Sequence, residues 1–135
     1  MDLIASAQAE VVKRHEFFVE WFTGRGSEAE LEASLAAFAP DMVMIEPDAN
    51  TIGQAEIVAM IRSARGKRPA DFEIRVELVA ARQIGTDAAL VIYDEHQVID
   101  GEKTARRSSA VFTADASAPE GVAWRQLQET WIPTK

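Results

Sequence analysis

The sequence predicts an α+β fold, in which three N-terminal helices pack on the concave face of a curved, mostly antiparallel sheet. Two observations predict it. Apolar residues recur at helical spacing over about the first two-fifths of the chain, and from Asp71 onward the period changes to two, which is typical of strands. The later strands are joined by short turns, so we expect them to be antiparallel neighbours. The helices must then cover one face of the sheet to bury their apolar sides.

The helices are predicted from their apolar stripes and from the residues that end them. Gly24 ends the first helix, and Ser27 with Glu30 forms a capping box that begins the second. The second helix ends before Pro40, and a third is predicted over about residues 54–65. The stripe of the first helix is Ile4, Val11, Phe18 and Phe22, and that of the second is Leu31, Leu35 and Phe38.

The strands are predicted over residues 42–46, from residue 71, and over 88–99, 104–113 and 122–132. In the second of these, apolar and charged residues alternate until Val79, where a slip of one position predicts a β-bulge. Asp100-Gly101 is a hairpin signal between the next two strands. We expect one domain spanning residues 1–135, with its core over about 7–132.

Composition narrows the classes of partner and of chemistry. Fourteen basic and 22 acidic residues give a net charge of −8, and basic clusters are short, so neither nucleic acid nor an anionic membrane is expected as a partner. The chain has no cysteine, which excludes disulfides and thiolate chemistry and suits a reducing cytoplasm. No stretch approaches the ~20 apolar residues of a membrane helix, and the N-terminus does not read as a signal peptide. We therefore expect a cytoplasmic protein.

Metal and cofactor sites are not expected. The two histidines, His15 and His96, are far apart in the sequence and are not part of a carboxylate cluster. Gly24 and Gly26 follow a helix rather than a strand, so they do not form a phosphate-binding loop.

Three segments resemble one known superfamily. They are residues 15–24 (His-Glu-Phe-Phe-Val-Glu-Trp-Phe ending at Gly24), residues 93–97 with 106–112, and residues 124–131 (Trp-Arg-Gln-Leu-Gln-Glu-Thr-Trp). Together with the element order they resemble the nuclear transport factor 2-like (NTF2-like) superfamily, which includes ketosteroid isomerase and the SnoaL-like cyclases. The last segment looks like the DUF4440-type branch.

The resemblance implies a cone-shaped, cystatin-like fold, a homodimer built through the outer sheet face, and a ligand pocket between the helices and the concave face. It implies no particular activity, because members of the superfamily include enzymes, adaptors and proteins without a known role.

One strand carries the candidate catalytic residues. Tyr93 and Glu95 share one of its faces, and Asp94 shares the other with His96. In a functional interpretation, Glu95 or Asp94 is a general base and Tyr93 donates a hydrogen bond. In a structural interpretation, the carboxylate pairs with an arginine of the next strand.

The length of the turn decides which arginine that is. A two-residue turn at Asp100-Gly101 sets Glu95 opposite Arg106 and Tyr93 opposite Ser108, whereas a turn longer by one residue selects Arg107 and Ser109. The resemblance favours Arg107 and Ser109, because it implies an Arg-x-Ser pair near the pocket. Arg107 would then stabilise developing negative charge, or would clamp an anionic group of a ligand.

Further candidates for a ligand-binding role are His15, Phe18, Trp21, Glu129 and Trp131. Each has a structural alternative, as a core residue or as a member of an ion pair. Trp124 and Trp131 are seven positions apart, so regular alternation predicts that they lie on opposite faces of the last strand.

Two functions follow from these candidates. One is a small-molecule pocket protein, either a binder or a lyase- or isomerase-type enzyme, acting on an apolar ligand with a polar or anionic end. The other is a non-catalytic dimeric interaction module whose charges form structural ion pairs.

Overall fold

The computed structural model describes residues 2–133 and contains three helices and one six-stranded sheet. The helices are α1 (Leu3–Phe22), α2 (Glu28–Leu35) and α3 (Gln54–Ser63). The strands are β1 (Phe38–Ile45), β2 (Thr51–Gly53), β3 (Glu73–Ile84), β4 (Ala88–Ile99), β5 (Glu102–Ala114) and β6 (Val122–Trp131). The predicted α+β class, with three helices and a mostly antiparallel sheet, is confirmed.

The strands of the sheet lie in the order β2-β1-β6-β5-β4-β3. All neighbours are antiparallel except β1 and β6, which are parallel. The sequence predicted the antiparallel run β3 to β6 from its short turns, but it predicted neither β2 nor the parallel pair. The helices pack on one face of this sheet, the concave face, and the opposite face is the outer face.

The start of β1 corrects the sequence prediction for α2. Phe38 was assigned to the apolar stripe of that helix, but α2 ends at Leu35 and Phe38 begins β1. Phe38 is paired with Trp124 of β6, and the backbone N–H of Trp124 donates to the carbonyl of Ala37 at 2.8 Å. The helix therefore ends before Phe38, because the backbone that follows it pairs with β6. The capping box of Ser27 and Glu30 is present as predicted.

The hairpin between β4 and β5 has the two-residue turn. Asp100 and Gly101 both have positive φ, 51° and 79°, and Ile99 is opposite Glu102. This is the turn that Asp-Gly favours, because its backbone twist matches that of the two strands. The turn sets the register of the residues that line the concave face: Glu95 is opposite Arg106 and Tyr93 is opposite Ser108. The preference for Arg107 and Ser109 was therefore wrong.

Two bulges bend the sheet. The pairing of β3 with β4 shifts between Leu78 and Ala80, which confirms the bulge predicted at Val79. A second shift in the pairing of β5 with β6 leaves Arg125 unpaired. Because this extra residue reverses the alternation, Trp124 lies on the same face as Leu127 and Glu129. The prediction that Trp124 and Trp131 lie on opposite faces was therefore wrong.

A buried polar network joins α1 to the sheet. The Glu10 carboxylate accepts two hydrogen bonds from the Arg14 guanidinium, at 2.8 and 2.7 Å, and one from Nε1 of Trp124 at 2.7 Å. Arg14 also donates to the Ser34 hydroxyl of α2 at 2.8 Å. Both charges are buried, so each depends on these partners for the solvation that it loses on folding. The network fixes α1 against α2 and β6.

In the part of the chain that the structure describes, no helix combines the length and apolar character needed to cross a bilayer.

Candidate functional site

The candidate site is a cavity between α1, α3 and the concave face of the sheet, with a volume of about 140 Å³. Its wall is mostly apolar: Phe18 and Phe22 come from α1, Ile57 and Ile61 from α3, and Leu127 from β6. The polar side chains of the wall come from α1 and from the three strands β4, β5 and β6. A mostly apolar pocket with a few convergent polar groups is the usual form of a small-molecule site.

His15 and Glu95 form a buried pair in this wall. Nε2 of His15 lies 2.9 Å from Oε1 of Glu95, and Nδ1 lies 2.7 Å from the carbonyl oxygen of Val11. A carbonyl oxygen can only accept, so Nδ1 carries a proton, and an ionised Glu95 requires a second proton on Nε2. The two contacts together favour an imidazolium paired with a carboxylate.

The electrostatics of the pair agree with this protonation. Burial alone would lower the pKa of His15, but the charge of Glu95 and the hydrogen bonds to Glu95 and Val11 raise it above its ordinary value. Burial alone would also raise the pKa of Glu95, but the charge and hydrogen bond of His15, with weaker contributions from Arg106 and Gln97, lower it to about 2. A carboxylate held so firmly in its ionised form is a weak base.

Glu129 is paired more weakly than Glu95. Its Oε1 accepts one hydrogen bond, 3.3 Å long, from Nη1 of Arg106, and its side chain is almost fully buried. Burial raises the pKa of Glu129 to about 7; Arg106 opposes this rise and the negative charge of Glu95 adds to it. Glu129 is therefore the acid of the cavity that exchanges its proton near neutral pH.

Tyr93 brings a buried hydroxyl to the cavity. Its side chain is fully buried, and its hydroxyl has no hydrogen-bond partner among the described residues. The buried hydroxyl of Ser108, opposite Tyr93 in β5, is near enough to affect the pKa of Tyr93, but neither hydroxyl makes a hydrogen bond of good geometry. Burial and then the charges of Glu95 and Glu129 raise the pKa of Tyr93 well above its ordinary value, and the nearby Ser108 hydroxyl and the charge of Arg106 only partly offset this rise, so the hydroxyl keeps its proton.

Arg107 is directed away from the cavity, which corrects its predicted role. It lies on the outer face of the sheet, where its Nε and Nη2 donate to the two carboxylate oxygens of Asp94 at 2.8 and 2.9 Å. These hydrogen bonds lower the pKa of Asp94. Ser109 lies on the same outer face, since Ser108 is on the inner one. The arginine of the cavity is Arg106, because the hairpin turn has two residues.

The outer face also has the one group of possible metal ligands found among residues 2–133. Glu77, Asp94 and His96 bring one ligand atom each within 4.8 Å of one another. Both oxygens of Asp94 are already bound by Arg107, and Nε2 of His96 lies 3.2 Å from Oε1 of Glu77. The group is therefore an ion-pair network, and we assign no metal to it.

Two predicted aromatic residues are outside the cavity. Trp21 is buried beside it, where Nε1 donates to the carbonyl of Ile61 at 2.7 Å and the ring packs on Phe17. Trp21 was predicted to contact a ligand, but it does not line this cavity, because His15 and Phe18 occupy the stripe of α1 that faces it. Trp131 is exposed at the end of β6, and its ring lies 4.7 Å from the guanidinium carbon of Arg106. It therefore contacts a wall residue without lining the cavity.

The structure thus brings His15, Phe18, Tyr93, Glu95 and Glu129 together in one wall, as they were grouped from the sequence. The sequence interpretation missed Gln97 and Trp124 as wall residues and preferred the wrong arginine. The Asp-Gly turn was the signal for Arg106, since this dipeptide favours two-residue hairpin loops. No local signal indicates the bulge at Arg125 that turns Trp124 inward.

Chemically, the cavity can bind a hydrogen-bond acceptor and exchange a proton. Tyr93 donates, Glu129 titrates near neutral pH, and Arg106 supplies a positive charge. Glu95, predicted as the general base, is instead fixed by His15.

Comparisons with solved structures support the fold. An NTF-2 like protein of unknown function from Pseudomonas aeruginosa is 27% identical, with a TM-score of 0.80 over 95% of this chain and 99% of its own. A ketosteroid isomerase-like protein from Erwinia carotovora atroseptica is 15% identical, with a TM-score of 0.71 over 98% of both chains. The predicted NTF2-like superfamily is confirmed by these and by other NTF2-like and cystatin-like structures. The SnoaL-like or DUF4440-type branch stays a prediction.

Sequence comparisons identify the family. Sucrose-phosphatase 1 of Nicotiana tabacum is 24% identical over 127 residues, which are 91% of this chain but only 30% of the tobacco protein. A family model described as "Sucrose-6-phosphate phosphohydrolase C-terminal" matches residues 7–133, nearly the whole chain. The protein therefore belongs to the sucrose-6-phosphate phosphohydrolase C-terminal family.

Proposed function

We propose that this domain binds a small, largely apolar molecule in the cavity, with the polar end of the molecule at Tyr93 and Arg106. The observation that carries the proposal is the cavity itself, a mostly apolar space whose lining includes Tyr93, with its buried hydroxyl unpaired, and the positive Arg106. Leaving a buried hydroxyl unpaired costs about 1–3 kcal/mol, and a ligand that accepts a hydrogen bond from it recovers that cost.

The size of the cavity limits the ligand. Its volume is about 140 Å³, and an apolar cavity of about 150 Å³ in another protein holds one benzene molecule. We therefore propose a ligand whose enclosed part is a single ring or a short chain. The name of the tobacco relative points to a sucrose phosphate, but the hydroxyl groups of a sugar would be unpaired against this apolar wall. The cavity suits a less polar molecule.

If the cavity is catalytic, the reaction is of the lyase or isomerase type. Such reactions need a group that moves a proton and a donor that stabilises negative charge on an oxygen. Glu129 fits the first role, because its pKa is about 7, and Tyr93 fits the second. Arg106 would add a positive charge in the position that was first predicted for Arg107.

A thermal-shift screen tests binding. Single-ring ketones, alcohols, amides and carboxylates are tested against the wild type and against two matched variants, Arg106→Gln and Arg107→Gln. At ~100 times its Kd, a ligand raises the free energy of unfolding by about 2.7 kcal/mol. We expect a shift for the wild type and for Arg107→Gln, and a smaller one for Arg106→Gln. A wild type that responds to no compound contradicts the proposal, as does an equal response of the two variants.

A second function is favoured by the outer face of the sheet. Leu90, Ile92 and Val111 are only partly covered there, and Val79 is exposed. We propose that this face forms a homodimer interface, as the resemblance implied. Light scattering after size-exclusion chromatography should give twice the 14.8 kDa mass of the chain, and Ile92→Glu should return it to the monomer. A monomeric wild type at micromolar concentration contradicts this proposal.

A further inference from the structure

The donors of the cavity wall favour a particular kind of ligand. The hydroxyl of Tyr93 and Nε of Arg106 are both buried and have no partner among the described residues. Both donate hydrogen bonds, and Arg106 cannot accept one. A third unpaired atom, the Ser108 hydroxyl, lies between Tyr93 and Glu129 in the sheet, but Ser108 does not line the cavity. A ligand group that pairs with both donors of these lining residues is therefore an acceptor with more than one lone pair, such as a carboxylate.

The charges of the wall favour an anion. Arg106 and the imidazolium of His15 are positive, and Glu95 is negative. While Glu129 keeps its proton, these three charges leave one positive charge in excess in an apolar cavity. Among the described residues, the one carboxyl group within salt-bridge distance of Arg106 is that of Glu129, at 3.3 Å, and in its protonated form it does not offset the charge of the guanidinium. A buried charge without a full partner is costly, so a ligand anion is stabilised there.

We propose that the ligand is a small monocarboxylic acid, which binds as its anion with the carboxylate at Arg106 and the Tyr93 hydroxyl while Glu129 is protonated. The proposal rests on the proposed function, because it assumes that the cavity is a ligand site. The carbon body of the acid lies against Phe18, Phe22 and Leu127, and the cavity volume allows one ring or a short chain.

Binding of such an acid is coupled to a proton. The titratable and charged groups that face Glu129 are His15 on α1, Tyr93 and Glu95 on β4, and Arg106 on β5. Arg106 is the only one that can serve a ligand carboxylate and Glu129 together, and two ionised carboxylates beside one guanidinium repel each other. The acid should therefore bind the form in which Glu129 is neutral. Above the pKa of Glu129, about 7, its affinity should fall up to about tenfold per pH unit.

Isothermal titration calorimetry on the whole chain tests the inference with three acids and their amides: benzoate and benzamide, cyclohexanecarboxylate and its amide, and hexanoate and its amide. At pH 6 we expect at least one acid to bind about tenfold or more tightly than its amide. Its Kd should rise about tenfold between pH 7.5 and 8.5. Titrations in two buffers of different ionisation enthalpy should show uptake of close to one proton at pH 8.

Glu129→Gln is the matched variant, because glutamine keeps the shape of the protonated acid and cannot ionise. It should bind the same acid with a Kd that changes less than about twofold from pH 6 to 8.5. Arg107→Gln, on the outer face, should retain the pH dependence of the wild type.

The outcomes separate the two proposals. Amides that bind as tightly as their acids, or acid binding that is independent of pH in the wild type, overturn the carboxylate inference and leave the cavity a ligand site. If neither acids nor amides bind, and the thermal-shift screen also finds no ligand, both proposals are overturned.

Discussion

His15 and Glu95 are 80 positions apart in the sequence, yet Nε2 of the histidine lies 2.9 Å from Oε1 of the glutamate. Only the packing of α1 against β4 brings them together, and both side chains are buried there. The pair is therefore the central contact between the helical layer and the sheet.

Replacing Glu95 should reverse the shift in the pKa of His15. In Glu95→Gln, burial still disfavours the imidazolium, while the main cause that raises the pKa is lost. We expect the pKa of His15 to fall below its ordinary value of 6.5, as measured by NMR titration of its ring protons. The control is Glu77→Gln, which removes the partner of His96 on the outer face. A pKa of 6.5 or more for His15 in Glu95→Gln would argue against the ion pair.

Removing the charge of Glu129 should stabilise the protein above neutral pH. The pKa of Glu129 is raised from 4.5 to about 7, so between these values the folded protein holds a proton that the unfolded chain has released. The free energy of unfolding therefore falls as pH rises from 4.5 through about 7, and above about pH 7 the folded protein bears the whole destabilising effect of the ionised Glu129. Relative to the wild type, Glu129→Gln should gain about 2–3 kcal/mol between pH 4.5 and 8. Urea unfolding at both pH values measures this, and parallel pH profiles would refute it.

Breaking the network of Glu10 should cost far more stability than trimming its edge. Glu10→Ala leaves the Arg14 guanidinium buried without its counter-ion and Nε1 of Trp124 without an acceptor, so we expect a loss of about 3–5 kcal/mol. Ser34→Ala removes one neutral partner of Arg14 and should cost about 1 kcal/mol. Chemical denaturation followed by circular dichroism compares the two variants. Equal losses would show that the buried charge is solvated in some other way.

The turn between β4 and β5 should depend on the backbone freedom of Gly101. Its φ is +79°, and no atom lies within 4 Å of an added Cβ, so Gly101→Ala tests the backbone alone. We expect a loss of about 1 kcal/mol from the left-handed conformation. Asp100→Asn, at the preceding position with φ of 51°, should change stability by less than about 0.5 kcal/mol, since asparagine tolerates this region. The unfolding temperatures of both variants measure these changes. An unfolding temperature of Gly101→Ala equal to that of the wild type would contradict the expectation.

Short sequence patterns correctly predicted the elements whose ends are set by neighbouring residues. Residues 88–99 were predicted as a strand with the bounds that β4 has, because turn residues flank it on both sides. The bulge at Val79 was visible as a slip in alternation within its own strand. Five residues of the cavity wall could be grouped from the sequence because they lie on one stripe of α1 and on single faces of β4 and β6.

The errors concern contacts between distant parts of the chain. Phe38 continues the apolar stripe of α2 by spacing alone, and only its pairing with Trp124 makes it a strand residue. The choice of Arg107 followed a resemblance and passed over the turn length that the Asp-Gly pair favours. The bulge at Arg125 depends on how β6 pairs with β5, which no short stretch of the sequence encodes.

The stacking of Trp131 on Arg106 makes the protein its own fluorescence probe. The chain has three tryptophans, and Trp21 and Trp124 are buried, while Trp131 is 49% exposed. A water-soluble quencher such as iodide therefore reaches one indole in preference to the other two. A molecule in the cavity that draws the guanidinium of Arg106 inward separates it from the indole of Trp131 and alters the tryptophan emission. Filling of the cavity can therefore be followed by intrinsic fluorescence, without a label.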